Sequence, residues 1–588
     1  MCGIFGYIGN KNNAASLVLE GLRLLEYRGY DSWGVAVKVD SSIKVDKHVG
    51  KIGNAQVNLP ASSFGIGHTR WATHGGVTDV NAHPHTDCKQ QIAVIHNGII
   101  ENFEEIKESL IQKGHIFISE TDTEVLPHLI EENLKTMDFE QSVRQAFNSL
   151  KGMNAIVVAY APESEIIAAK TGSPLVIGIG EDELFVASDA SAIVSHTKNV
   201  IFLHDHQMAI LNKNVRIIDL ATGAAKELAI EKLTWEFEDS QKGKFDHFLL
   251  KEIHEEPIVV ENIALTKAET TKELASLIDK AFGTFMLACG SASYAGIAAT
   301  YMFSKIAKKH INFVIGSEYK YFQDFITSKT LLIPISQSGE SIDVIEPVMK
   351  MKEEKGVTVA SIVNTLGSTL YRASDFRAML ECGQEKSVAA TKSFIAMLSM
   401  ILLTAYTVAD EQAKGQELLR AAAKDIKTIL EADSIEKIKE VAEILKEQKH
   451  IYIIGRGVSF AGALEATLKI KEAACIHAEA FPGGELKHGV MALIEESTPC
   501  IVFAPNDETY DEIISNAQEV KARGGYIIGI GPRDNKVFDS HLVTEDIGDA
   551  TLLSQVAHSH LLAYYLALAC GIEDVDKPRN LAKSVTVK

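Results

Sequence analysis

Thr284-Phe285-Met286-Leu287-Ala288-Cys289-Gly290-Ser291-Ala292-Ser293-Tyr294-Ala295-Gly296 is an unbroken apolar run, a glycine turn and the small-residue opening of a helix. An apolar run without alternation suits a parallel strand covered on both faces. The piece recurs. Ser293-Tyr294-Ala295-Gly296 returns as Ser459-Phe460-Ala461-Gly462 behind the run His450 to Ile454, an offset of 462 − 296 = 166 residues. Thr330-Leu331-Leu332-Ile333-Pro334-Ile335 is another such run, followed by a Ser/Gly turn and a helix starting near Ile342. The repeat is read as two doubly wound parallel-sheet domains from a duplication, at 274–412 and 440–573.

Outward from this pair the character changes. Ile92-Ala93-Val94-Ile95, Ala155 to Ala159 and Glu165 to Ala169 read as buried strands, while Asn102 to Gln112 and Thr123 to Leu134 have helical spacing. The first domain, 2–237, is therefore mixed α and β with antiparallel sheets. A polar stretch with a glycine, Glu238 to Lys244, opens a linker and leading helix over 238–273, and a polar tail closes the chain at 574–588.

The 588 residues are 46% hydrophobic, enough for several cores. The net charge is 58 − 78 = −20, which argues against a nucleic-acid partner, since that needs a basic face. No apolar run reaches the ~18–20 residues of a membrane span, so no membrane partner is expected. Met1-Cys2-Gly3-Ile4-Phe5-Gly6 has no basic lead, so no signal peptide is expected and a cytoplasmic location fits. Cys2, Cys88, Cys289, Cys382, Cys475, Cys500 and Cys570 show no C-x-x-C spacing, which suggests neither zinc nor disulfides. His83-Pro84-His85 and His204-Asp205-His206 lack a third ligand at metal spacing and read as solvated loops, so no metal is expected.

Removal of Met1 would leave Cys2 with a free α-amine, whose pKa is about 7.7–8.0, able to take the proton of its own thiol. Gly67-His68-Thr69-Arg70-Trp71-Ala72-Thr73-His74-Gly75, His96-Asn97-Gly98 and Ser119-Glu120-Thr121-Asp122-Thr123-Glu124 accompany it. Together these segments resemble the N-terminal-nucleophile glutamine amidotransferases, and the resemblance implies an αββα glutaminase domain. It implies that Cys2 attacks the glutamine side-chain carbonyl. Asn97 and the Gly98 N–H would stabilise the oxyanion. Arg70 would hold the α-carboxylate of glutamine and Asp122 its α-ammonium, with Trp71, Thr73 and His74 lining the site.

In the second half, Ser336-Gln337-Ser338-Gly339-Glu340-Ser341 stands between a strand and a helix, where hydroxyls and N–H groups can hold a phosphate. Glu465, Lys469 and Glu472 are spaced by four and three and share a helix face, with His488 beyond. This half resembles the sugar isomerase (SIS) domains. With Asp576-Lys577-Pro578-Arg579-Asn580-Leu581-Ala582-Lys583-Ser584-Val585-Thr586-Val587, the whole chain is similar to the isomerizing glutamine–fructose-6-phosphate aminotransferase family. That family implies glutamine and fructose 6-phosphate as substrates, no cofactor and a homodimer. It implies that His488 opens the sugar ring and Lys583 forms a Schiff base. Glu472 would move a proton between C1 and C2, with Lys469 and Glu465 beside it. Ser291, Ser293, Ser336, Gln337, Ser338, Ser341, Val388 and Ala390 would hold the sugar phosphate.

Two positions depart from the family pattern, Ala292 and Ala390, where it usually carries serine; Trp33 is also bulkier than usual. These departures leave open another ketose phosphate as substrate. A glutaminase joined to a non-catalytic sugar-phosphate sensor is the further alternative.

Overall fold

The computed structural model describes residues 2–233 and 242–583. The 237/238 boundary, Glu238 to Gln241 of the expected linker and the closing-motif residues from Ser584 onward lie outside the described residues. The described residues form two compact units, one of 2–233 with Ala582 and Lys583, the other Lys242–Leu581.

In the first unit an eight-stranded and a seven-stranded sheet face each other, and every strand pairing is antiparallel. Alternation along each strand sorts the side chains. Ile4, Ile66, Ile95, Val157 and Ile177 meet between the sheets. Val94, Ile156 and Val158 point the other way, to Leu126, Ile130 and Phe147 of the covering helices. Gly21 of the helix Ala14–Leu25 lies against Phe5 on the outer face of the first sheet. The layering is helix, sheet, sheet, helix. Trp33 is buried and its ring packs tilted against His48 at 4.6 Å, so its bulk is taken up by packing.

The second unit holds two five-stranded, wholly parallel sheets. Each runs in the order second, first, third, fourth, fifth strand, a doubly wound arrangement. The duplication extends beyond the four-residue match. Strands Gly283–Ala288 and His450–Gly455 lead into helices Ser291–Met302 and Ser459–Lys469. Each helix ends in a π turn, Phe303–Ala307 or Ile470–Ala474, stopped by a left-handed residue, Lys308 (φ 52°) or Cys475 (φ 56°). The two repeated helices pack against each other. Helix Lys392–Val408 is buried from Lys392 to Tyr406, as its all-round apolar sequence demands. Among the described residues no helix is long and apolar enough to cross a membrane.

Candidate active sites

In the first unit, strands Gly3–Gly9 and Phe64–Arg70 pair with Gly3 opposite Thr69, which brings Cys2 to Trp71. The Trp71 N–H donates to Cys2 Sγ at 3.1 Å. Burial pushes the Cys2 thiol above its ordinary pKa, while that N–H, Arg70 and Arg28 act to lower it. A protonated resting thiol needs a base before it can attack.

Asn97 ends the neighbouring sheet's strand Ile92–Gly98, and its Nδ2 donates to the Cys2 carbonyl at 3.0 Å. His68 Nε2 lies 2.9 Å from the His96 carbonyl and 3.1 Å from Asn97 Oδ1. Both partners accept, so Nε2 carries the hydrogen. The amide of Asn97 is thereby fixed with its NH₂ toward Cys2. Burial holds His68 down at about 3, so the ring is neutral. Gly98 sits at φ 135°, and a Cβ there would lie 2.3 Å from the Met153 carbonyl, so no side chain fits.

Arg70 is buried and its guanidinium donates to the carbonyls of Gly76 (3.1 Å), Gly75 (3.2 Å) and His74, which shapes the loop after its strand. Asp122 Oδ2 accepts the Ile100 N–H at 2.8 Å. A cleft is lined by Cys2, Arg70, Trp71, Thr73, His74, Gly98 and Asp122, every front-half residue expected from the sequence except Asn97. His83, His96, Thr121 and Thr123 also line it, and the sequence reading missed them. The reading of His83 and His85 as a solvated loop is corrected: both are buried, and burial holds both rings well below their ordinary pKa. The His83 ring lies tilted against His68 (4.3 Å) and edge-on to His85 (4.7 Å), and His85 Nε2 meets Thr121 Oγ1 at 2.9 Å. Their signal was convergence of distant segments, which spacing along the chain does not display.

In the second unit, the strand Thr330–Ser336 delivers the serine-rich turn to the N-terminus of helix Ile342–Lys355. Ser336 Oγ accepts the Gly339 N–H (3.0 Å) and Ser338 Oγ the Glu340 N–H (3.2 Å). Ser341 stands at the N-cap and its side chain makes no capping bond. Gln337 is half-buried. Glu340 anchors the turn by accepting from Thr369 N and Oγ1, both at 2.8 Å. Val388 is buried and its N–H donates to the Asp576 carbonyl (2.9 Å); Ala390 is half-buried nearby in the chain. Glu385 ties this segment by accepting from Thr391 N, Ser393 N and Ser393 Oγ.

Glu465 and Lys469 are buried on helix Ser459–Lys469, whereas Glu472 lies on the following π turn. Lys469 Nζ is 3.5 Å from Glu465 and bonds Glu472 directly. Burial works to lower the Lys469 pKa, but Glu465 and Glu472 together raise it, so the ammonium stays charged. Ser291 Oγ donates to Glu465 at 3.1 Å, and Ser293 Oγ to the Gly290 carbonyl at 2.6 Å. Two further members were not foreseen: His560 Nδ1 meets Glu256 at 2.6 Å, and its Nε2 lies 3.6 Å from Glu465. Burial lowers the His560 pKa, yet Glu256 and Glu465 outweigh it and raise it to about 9.

Both units match known protein families. Residues 68–195 fit the glutamine amidotransferase domain model, and 277–406 and 444–540 fit the SIS domain model. An isomerizing glutamine–fructose-6-phosphate aminotransferase of Thermococcus kodakarensis is 40% identical over the full length of both chains. One from Thermus thermophilus is 42% identical, again over the whole of both. This chain belongs to the isomerizing glutamine–fructose-6-phosphate aminotransferase family. The solved C-terminal domain of glucosamine-fructose-6-phosphate aminotransferase from Francisella tularensis covers 57% of this chain and 99% of its own, at 32% identity and a TM-score of 0.53.

Against the family pattern, Ala292 is accounted for by packing: it is buried in the core of the second unit with Ala295 and Ala299. His488 ends a 3₁₀ turn, Gly483–His488, and is exposed, with no hydrogen bond or ion pair among the described residues. Lys583 is half-buried and falls with the first unit. Asp576 of the same closing motif is held in the second unit, where its carboxylate accepts from Phe248 N (2.9 Å) and Leu249 N (2.8 Å) at the start of a helix.

Proposed function

We propose that this protein takes ammonia from glutamine and transfers it to fructose 6-phosphate with ketose–aldose isomerisation, giving glucosamine 6-phosphate and glutamate. The full-length likeness to isomerizing glutamine–fructose-6-phosphate aminotransferases carries the reading, since it spans both sites in one chain. In the first step Cys2, deprotonated by its own α-amine once Met1 is removed, attacks the glutamine carboxamide. The Asn97 amide and the Gly98 N–H hold the oxyanion. Arg70 and Asp122 grip the α-carboxylate and α-ammonium, and Trp71, Thr73 and His74 close around them. Water then cleaves the thioester.

In the second step Ser336, Gln337, Ser338 and Ser341 hold the phosphate, with Ser291, Ser293, Val388 and Ala390 along the sugar. His488 assists ring opening. Lys583 condenses with the C2 ketone, and ammonia displaces it. Glu472, held in place by Lys469, takes the proton from C1 and returns it to C2. Glu465 fixes Lys469 from its other side. The reaction needs no external reductant, because oxidation at C1 balances reduction at C2. The tail bearing Lys583 closes over the sugar in this reading, and the working form is a cytoplasmic homodimer, which light scattering tests.

Incubation of the Met-processed protein with glutamine and fructose 6-phosphate, followed by mass spectrometry and NMR, decides the matter. Glucosamine 6-phosphate formed with an equal amount of glutamate supports the proposal. Glutamate without an amino sugar overturns it, and a screen of other ketose phosphates then tests the alternative that Ala390 leaves open.

A further inference from the structure

Cys88, His115, His128 and Glu131 converge in the first unit, outside the cleft that holds Cys2. We propose that these four side chains form a closed, tetrahedral site for a divalent transition-metal ion, zinc being the ion that fits best. The ligand atoms are Cys88 Sγ, His115 Nδ1, His128 Nδ1 and Glu131 Oε2. One such atom from each residue lies within 4.8 Å of all the others.

The distances are those of a metal-sized cage. His115 Nδ1 to Glu131 Oε2 is 3.2 Å and His128 Nδ1 to Glu131 Oε2 is 3.8 Å. Cys88 Sγ is 4.0 Å from His115 Nδ1 and 3.6 Å from His128 Nδ1. A tetrahedral zinc with bonds of about 2.0–2.2 Å to N or O and about 2.3 Å to S has N–O edges near ~3.4 Å and S–N edges near ~3.6 Å. Glu131 Oε2 and His128 Nε2 are buried, and neither has a hydrogen-bond partner among the described residues.

The outer ring nitrogens strengthen the case. His115 Nε2 lies 3.1 Å from Glu132 Oε2, and His128 Nε2 lies 3.8 Å from Glu124 Oε1. A metal-bound histidine usually presents its second N–H to a carboxylate, which fixes the tautomer and leaves the first nitrogen's lone pair free for the ion. His115 is arranged in this way, whereas His128 Nε2 stands 3.8 Å from Glu124 Oε1, beyond hydrogen-bond range, with its Nδ1 toward the shared centre. Thiolate, two imidazoles and a carboxylate suit zinc by softness and geometry.

The ligands come from three segments: the turn after the short strand His85–Thr86, the connection after helix Phe103–Gln112, and one face of helix Val125–Asn133. An ion there ties these segments together beside Asp122–Glu124, the turn that carries Asp122 into the cleft. The role is structural, since four protein ligands leave no open position. Chain spacings of 27, 13 and 3 residues explain why no zinc pattern was legible in the sequence.

The test uses the full chain stripped by chelator and dialysed, then titrated with zinc sulfate, with bound metal measured by mass spectrometry of the desalted protein. The expected result is zinc in stoichiometric amount, a thermal midpoint several degrees higher, and a thiolate charge-transfer band with cobalt(II) in place of zinc. Cys88→Ala, at an exposed position that leaves the fold intact by circular dichroism, loses the zinc and the band. Glu132→Ala weakens binding by about 10–100-fold. Another first-row divalent ion retained by the same four residues supports the site and corrects the ion. Zinc bound equally by wild type, Cys88→Ala and His128→Ala, or no shift in midpoint with zinc, overturns the proposal.

Discussion

Cys2 is half-buried, and its thiol pKa stands above the ordinary value, so its chemistry depends on groups placed around it. Replacing it tests the division of labour: Cys2→Ala is expected to lose glutamine-dependent amination to background while retaining amination from added ammonium salts, read by amino-sugar formation from each nitrogen source. Asn97 and His68 form a positioning pair. Asn97→Ala removes one oxyanion donor and is expected to lower kcat for glutamine hydrolysis by about 10²–10³-fold with little change in KM. His68→Ala leaves the donor in place but frees its amide to turn. Its expected signature is a smaller kcat loss and an unchanged pH profile, because the His68 ring is already neutral down to about 3. Cys2, Arg70, Asn97, Gly98 and Asp122 were legible because they sit in short motifs next to glycine, aromatic or strand signals. His83, His96, Thr121 and Thr123 were not, because only the crossing of strands from both sheets brings them into one cleft.

At the scale of elements, most strands and helices followed from apolar patterning. The runs at Ile92, Ala155 and Thr330 are strands, and the helix expected near Ile342 begins there. The π turn at Ile470–Ala474 was not legible, since Glu465, Lys469 and Glu472 carry ordinary α-helical spacing. Helix Thr551–Ala569 brings the other unforeseen feature, His560 wedged between Glu256 and Glu465. Its pKa, raised from 6.5 to about 9, sets the sign of a linkage. The imidazolium stabilises the fold fully below pH 6.5 and loses that contribution as pH rises through about 9. The thermal midpoint is therefore expected to fall between pH 7 and 10. In His560→Gln that slope flattens, and stability at pH 7 drops by about 3–5 kcal/mol, because buried Glu256 loses its cation and Glu465 keeps only Lys469. An identical slope in the variant sinks this assignment.

For the whole molecule, each unit has hydrophobic cores of its own. A fragment from Lys242 to the C-terminus is expected to unfold cooperatively and to lose all glutamine-dependent chemistry. The solved C-terminal domain of the Francisella tularensis relative covers a comparable share of the chain. Within the full protein, Lys583→Ala is expected to keep hydrolysing glutamine yet form no amino sugar. Glucosamine 6-phosphate made by that variant removes the Schiff base from the mechanism.

The sequence by itself determined the two-part plan, the duplicated parallel-sheet half, and the side chains whose chemistry is carried by local motifs. It could do so because strand burial, turn glycines and helix faces are written in periods of two to four residues. Only the tertiary structure decided which way the Asn97 amide points, how His560 reaches Glu256 across 304 residues of chain while also meeting Glu465, and that Cys88 meets His115, His128 and Glu131. Those are facts of packing between segments remote in the chain. Their energies come from burial and from distances of a few ångströms, which no local spacing encodes.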